Sequence, residues 1–186
     1  MYIFGDEINL FMKMKISKPD ISQLSDYYKS YLKYVPEEDL LEELANQKEQ
    51  TSSFLRSMPE SKHSFAYAPD KWQIKELVGH LCDTERILVY RALRFSRNDS
   101  TPLSGFEEND YVSNANFQER KWSSLCEEKL AIGNATLSFF SSLNPETFDL
   151  VGSANKTNVS VRALLFFIIA HERHHIQVIK DRYLKG

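Results

Sequence analysis

The residue types that staple, loosen or break a chain are scarce here: 186 residues hold two cysteines, six glycines and six prolines. Cys82 and Cys126 match neither a disulfide framework nor the paired spacing of a zinc knuckle, which suits a reducing, cytoplasmic location. With so few breakers, and with no strand-like alternation, internal repeat or low-complexity run, long segments are free to follow a helical period. Charge of one sign is lacking too. Lys and Arg number 23 against 26 Asp and Glu, for a formal net charge of -3 and no basic run, so nucleic acid is not an expected partner. No apolar run reaches the roughly 18 residues that span a bilayer, because Arg162, His171 and Glu172 interrupt the longest one, and no membrane partner is expected. The first residues do not follow a charged segment with an apolar core, as a secretory signal would.

What is present is amphipathic. A hydrophobic content of 42% is ordinary for a globular chain of this length and supports one domain with a real core. Residues 1–19 keep no sustained period and read as a weakly ordered N-terminal extension, leaving one domain over 20–186. Leu24, Tyr27, Tyr28, Tyr31, Leu32 and Val35 recur at helical spacing up to Pro36, which predicts a short aromatic helix packed across the end of something larger. Four long helices follow, near 38–57, 73–97, 119–143 and 160–184. The first carries Glu37, Glu38 and Asp39 in its opening turn, and Leu40, Leu44, Gln47, Thr51, Phe54 and Met58 along one stripe. Asp70 to Gln73 offers a cap for the second, Trp122, Leu125, Ile132, Thr136 and Phe139 line the third, and Ser160 caps the last.

The fold class is therefore all-α, a four-helix bundle with a short additional N-terminal helix. Residues 98–117 are rich in Asn, Ser, Asp and Gly and read as loop. Some 20 extended residues reach about 60 Å, whereas a 25-residue helix is about 37 Å long. The second and third helices are thus free to run parallel.

Histidine is concentrated where chemistry would need it. Three of the five histidines fall between 171 and 175. On a helix His171 and His175 share a face, about 6 Å apart, as two ligands of one ion. His80 sits on the inward stripe of the second helix with Leu77, Leu81, Thr84, Ile87 and Leu88, and supplies a third. Three buried imidazoles without partners would cost several kcal/mol, on the order of a few for each orphaned polar group, and one divalent ion satisfies them together. A set of three neutral nitrogen ligands suits Zn²⁺ or Ni²⁺ and leaves coordination positions open. His174 is turned about 100° from His175 and is expected in a solvated or loop-facing position; His63 is expected in an exposed loop.

Two other motifs are formally present and fail on context. His171-Glu172-Arg173-His174-His175 matches the HExxH of metalloproteases, but Val178 stands where that family's chain-turning glycine belongs and the helical period runs through it. Glu172 and His175 fit the Glu-x-x-His of di-iron bundles, yet the partner helix reads Glu76-x-x-x-His80.

From Trp72 through Arg86, then Tyr90-Arg91, Pro102-Leu103-Ser104-Gly105-Phe106, Asp110-Tyr111 and His171 to His175, the order and spacing of blocks resemble the DinB-like superfamily of metal-binding four-helix bundles, over roughly 25–183. The resemblance implies an up-down-down-up bundle, one divalent metal on His80, His171 and His175, and frequent homodimers. It also implies thiol-dependent transferase chemistry, or a hydrolase, acting with a low-molecular-weight thiol or water on a small electrophilic substrate. Glu172 and Asp83 are the candidate catalytic carboxylates, as orienting groups for the ligands or as proton carriers. The alternative is a non-catalytic bundle whose metal is structural, with a role in dimerisation or stress response. Gln73 departs from the Ser or Thr frequent in relatives, which shifts the expected cap to Asp70.

Overall fold

The computed structural model describes residues 15–20, 22, 26–36 and 38–185. Helix α1 is a single turn, Asp26–Lys29, followed by a 3-10 turn at Leu32–Tyr34. The aromatic segment is therefore two short turns rather than one helix, and its Leu24 lies outside the described residues. Its tyrosines meet one ring of the last long helix, with Tyr28, Tyr31 and Tyr27 at 4.7, 4.9 and 5.5 Å from Phe167.

The four long helices are α2 (Leu40–Arg56), α3 (Ile74–Ser96), α5 (Trp122–Ser141) and α6 (Val161–Val178), the last prolonged by a π-helical turn over Ile179–Tyr183. Their starts follow from side chains that accept orphan N–H groups. Asp39 accepts from the Leu41 N–H at 3.1 Å, and Ser160 Oγ accepts from the Ala163 N–H at 3.1 Å. The cap of α3 is Gln73, not Asp70: the Gln73 N–H donates to Glu76 Oε2 at 2.7 Å, while Asp70 turns the chain at φ 61°.

Two clusters of buried apolar residues give the direction of each helix. Leu40, Leu41 and Leu44 of α2 join Ala92 and Phe95 of α3, Phe140 of α5 and Leu164 and Leu165 of α6 in one cluster. Leu55 of α2, Ile74 and Leu77 of α3, Leu125 of α5 and Ile179 just past α6 form the other. Helices α2 and α6 thus run one way and α3 and α5 the other, the up-down-down-up order. Long helices consecutive in sequence sit across diagonals, α2 from α3 and α5 from α6: the strong contacts are α2 with α5, α3 with α6, α3 with α5 and α2 with α6.

The connections contain structure that composition hid. Within the predicted loop 98–117, residues Glu108–Ala115 form helix α4, capped by Glu107 and ended at Asn116 in the left-handed region, φ 53°. The segment before the last helix folds into a hairpin, β1 (Val151–Ala154) against β2 (Thr157–Ser160), with Asn155 and Lys156 at φ 49° and 61° in the turn. Each strand is four residues, too short for alternation to show in a sequence. Residues 15–19 also depart from the expected loose extension. The Leu40 N–H donates to the Ile16 carbonyl at 2.8 Å and Ile16 is buried, while residues 1–14 lie outside the described part.

Candidate metal centre

His80 stands two turns into α3, and room for its surroundings comes from the preceding residue. The Phe117 ring lies directly on Gly79, so a Cβ there would collide with it. The chain leaving α4 therefore closes over α3 beside the histidine. His171 and His175 stand one turn apart on α6, and α3 and α6 are antiparallel neighbours. Their Nε2 atoms converge: His171 Nε2 is 3.2 Å from His80 Nε2 and 3.1 Å from His175 Nε2, and all three ligand atoms lie within 4.8 Å of one another. Three nitrogens bound to one tetrahedral ion at the usual Zn–N length sit about 3.3 Å apart.

The chemistry of this donor set fits a divalent cation. His80 and His171 are buried and His175 is half-buried. Burial pushes the His80 ring down to about 4 and the His175 ring to about 3; burial, then the charges of its two neighbours, pushes His171 well below the ordinary range. All three rings are therefore neutral near pH 7, each with one free lone pair. Hydrogen bonds can link three such nitrogens only in a chain, whereas a cation takes all three lone pairs. The other ring nitrogens add to this. Thr84 Oγ1 is 3.4 Å from His80 Nδ1, one helical turn along, where it can accept the Nδ1–H of the tautomer whose Nε2 lone pair faces the site. His175 Nδ1 is buried with no hydrogen-bond partner among the described residues.

Around the triad stand Trp72, 4.8 Å from His80 between ring centroids, and Phe167, 5.6 Å from His171. His80, Thr84 and His171 form one end of a cleft of about 280 Å³ that continues past Leu88 and Phe106 to Arg91.

The two expected carboxylates lie elsewhere than on the imidazoles. Glu172, next to His171, is buried with both oxygens engaged: Oε1 accepts from the Thr51 hydroxyl at 2.6 Å and Oε2 pairs with the Lys129 ammonium. Lys129 also donates to Glu85 at 2.9 Å, and Glu85 accepts from Thr136 at 2.6 Å. Burial opposes the Lys129 charge, but Glu172 and Glu85 outweigh it and hold the ammonium above its ordinary range. Asp83 faces Arg86 at 3.8 Å, and burial pushes its carboxyl up against that neighbour's pull. Among the described residues it is Thr84, not Asp83 or Glu172, that contacts a triad ring nitrogen.

The remaining histidines are more enclosed than expected. His174 has its Nδ1 2.8 Å from the Tyr34 hydroxyl and packs edge-on against Tyr31 and Tyr34. His63 stacks on Trp122 at 4.3 Å, with Nε2 3.1 Å from the Met58 carbonyl oxygen. Sequence reasoning missed the Lys129 pair network, although Lys129 lies on the stripe of Leu125, Ile132 and Thr136, a position where an unpaired charge would be untenable.

No match is found among curated proteins. Among solved structures the chain resembles YfiT from Bacillus subtilis, described as "a probable metal-dependent hydrolase with an unusual four-helix bundle topology". The identity is 14% and the TM-score 0.67, over 91% of this chain and 93% of that one, a likeness of fold. The family model of the DinB superfamily matches residues 38–179, which take in all four long helices and all three converging histidines, and the chain belongs to the DinB superfamily.

Proposed function

We propose that the protein is a metal-dependent enzyme, an S-transferase or hydrolase, in which His80, His171 and His175 hold one Zn²⁺ or Ni²⁺ ion beside a substrate cleft. The observation that carries the reading is the meeting of three neutral imidazole Nε2 atoms, two of them on buried rings, at the end of an open cleft that His80 and His171 themselves line. A structural site is closed around its ion, whereas an accessible one leaves a position for a reactant. An ion held there would supply Lewis acidity and lower the pKa of a bound thiol or water, making a nucleophile near neutral pH. YfiT, which shares the fold, is described as "a probable metal-dependent hydrolase".

The chain's own residues do the holding and shaping. Thr84 can accept the Nδ1–H of His80, and Trp72 and Phe167 limit the rotation of the rings they face. Glu172 acts as a positioning residue: with one oxygen on Thr51 of α2 and the other on Lys129 of α5, it locks α6 in the rotation that presents His171 and His175. The electrophilic substrate enters along the cleft, where Leu88 and Phe106 exclude water from its body. A cytoplasmic location agrees with the two free, buried thiols Cys82 and Cys126, and a homodimer belongs to the same reading.

The test is metal content of untagged protein beside circular dichroism. His80→Ala, His171→Ala and His175→Ala are each expected to lose most bound metal while remaining helical; His174→Ala and His63→Ala are expected to keep it. A screen for thiol consumption with small electrophiles then separates transferase from hydrolase. Full occupancy in His80→Ala, or equal depletion in His174→Ala and His175→Ala, overturns the ligand set. A fully loaded protein with neither thiol nor water reactivity overturns the enzyme.

A further inference from the structure

Arg91 is a buried cation with little to hold it. It is 8% exposed, its one hydrogen bond runs from Nη2 to the Ser104 carbonyl oxygen at 3.1 Å, and among the described residues no carboxylate is paired with it. The other buried cation, Lys129, shows the contrast, with two carboxylates around one ammonium. A guanidinium carries five N–H donors in a planar fork, so one bond to a carbonyl leaves most of its capacity unused. Burying a charge in that condition is costly unless something completes it.

Its place in the fold says what completes it. His80, Thr84, Leu88 and Arg91 follow one another at intervals of four, four and three along α3, hence on one face, and all four line the same cleft. Eleven residues of helix put the two ends about 16 Å apart at the backbone. Helical side chains lean toward the N-terminus, and the longer Arg91 side chain reaches further in that direction, toward the triad, than the His80 ring reaches away from it. Phe106 and Phe167 form apolar walls between them. Tyr28 also lines the Arg91 end, and burial pushes its phenol up, which keeps the proton it can donate.

We propose that Arg91 is the anion-binding residue of the substrate cleft, and that the substrate is a small molecule with an apolar body and a terminal carboxylate. The inference rests on the metal-centre reading for what happens at the far end, and assigns the near end independently. A single fork matches a monoanion bidentately. Glu108 on the wall of the same cleft adds one negative charge and disfavours a dianion such as a phosphate monoester.

The probe pair is 3-phenylpropionate and 3-phenylpropanol, titrated by calorimetry into the full chain, both metal-loaded and chelator-treated, with amide shifts of Thr84, Ala154 and Thr157 reporting where each binds. The expected result is at least a tenfold preference for the carboxylate in both forms, about 1.4 kcal/mol. In Arg91→Gln that preference is expected to vanish with the alcohol's affinity and the metal content unchanged, and in Arg91→Lys to be partly kept. Equal affinity of wild type for the two probes, or binding of neither at 20 mM, overturns the proposal even if Arg91→Gln fails to fold. A preference that disappears on chelation but survives in Arg91→Gln means the metal reads the anion; that overturns the role of Arg91 and leaves the metal centre standing. Absence of metal from the wild type together with an Arg91-dependent preference has the opposite meaning.

Discussion

A histidine's usefulness as a ligand depends on its being neutral, and in this site neutrality is imposed by the fold. An unfolded imidazole takes a proton near pH 6.5, whereas His80 in the folded chain waits until about 4 and His175 until about 3. Between those limits the unfolded state binds more protons than the native one, so stability falls as pH falls. For metal-free protein His80 alone contributes on the order of 3 kcal/mol of this loss by pH 4. Urea titrations in chelator between pH 7 and 5 are expected to show a declining midpoint, with a shallower decline in His80→Gln. A midpoint independent of pH would mean the rings are hydrated rather than buried. At this scale the sequence was informative: the four-residue spacing of His171 and His175 and the inward register of His80 were visible. The partners of Glu172 were not, because a hydrogen bond between residues 121 positions apart, such as Thr51 to Glu172, leaves no local trace.

Among the elements, the buried charges matter most. Lys129 of α5 links Glu85 of α3 to Glu172 of α6, and Thr51 ties α2 to the same group, so all four long helices meet at one buried polar knot. Removing Lys129 leaves two buried carboxylates without a counter-ion, each with a single hydroxyl donor. Lys129→Met is expected to destabilise the bundle by about 3–5 kcal/mol, more than a cavity of the same size would, because two carboxylates lose their counter-ion. Denaturant unfolding measures it, and Lys129→Met combined with Glu85→Gln and Glu172→Gln is expected to recover part of the loss. The long helices were legible from apolar period and punctuation. The hairpin and α4 were not: four-residue strands and an eight-residue helix with a single buried residue carry too little pattern to stand above their polar surroundings.

For the molecule as a whole, the N-terminal segment is tied into the fold at Ile16 and Ser17. Ile16 is 2% exposed, its N–H donates to Asp39 at 3.4 Å, and Arg162 at the start of α6 donates to the Ser17 carbonyl at 3.1 Å. Ile16→Ala is expected to cost about 2–4 kcal/mol in thermal or chemical unfolding, the range for emptying a buried aliphatic site. A loss under about 0.5 kcal/mol would show that this strand of chain is only laid against the bundle. The length of chain between α3 and α5 left that pair free to run parallel, and the up-down-down-up order was what the family resemblance implied.

The diagonal placement of α2 and α3 bears on how the protein is made. Successive long helices usually fold back on each other as they leave the ribosome, and each new one finds a partner already waiting. Here α2 has no sequence neighbour to rest on, α3 must hold its apolar face open until α5 arrives, and His80 waits for the last stretch of the chain to bring His171 and His175. Contacts so distant in sequence slow the search for the native state. Until synthesis ends, most of the interior is exposed to whatever else is in solution. The site thus records that synthesis has passed α6, because a chain cut short anywhere before residue 171 has one of its three converging histidines and no way to assemble the rest.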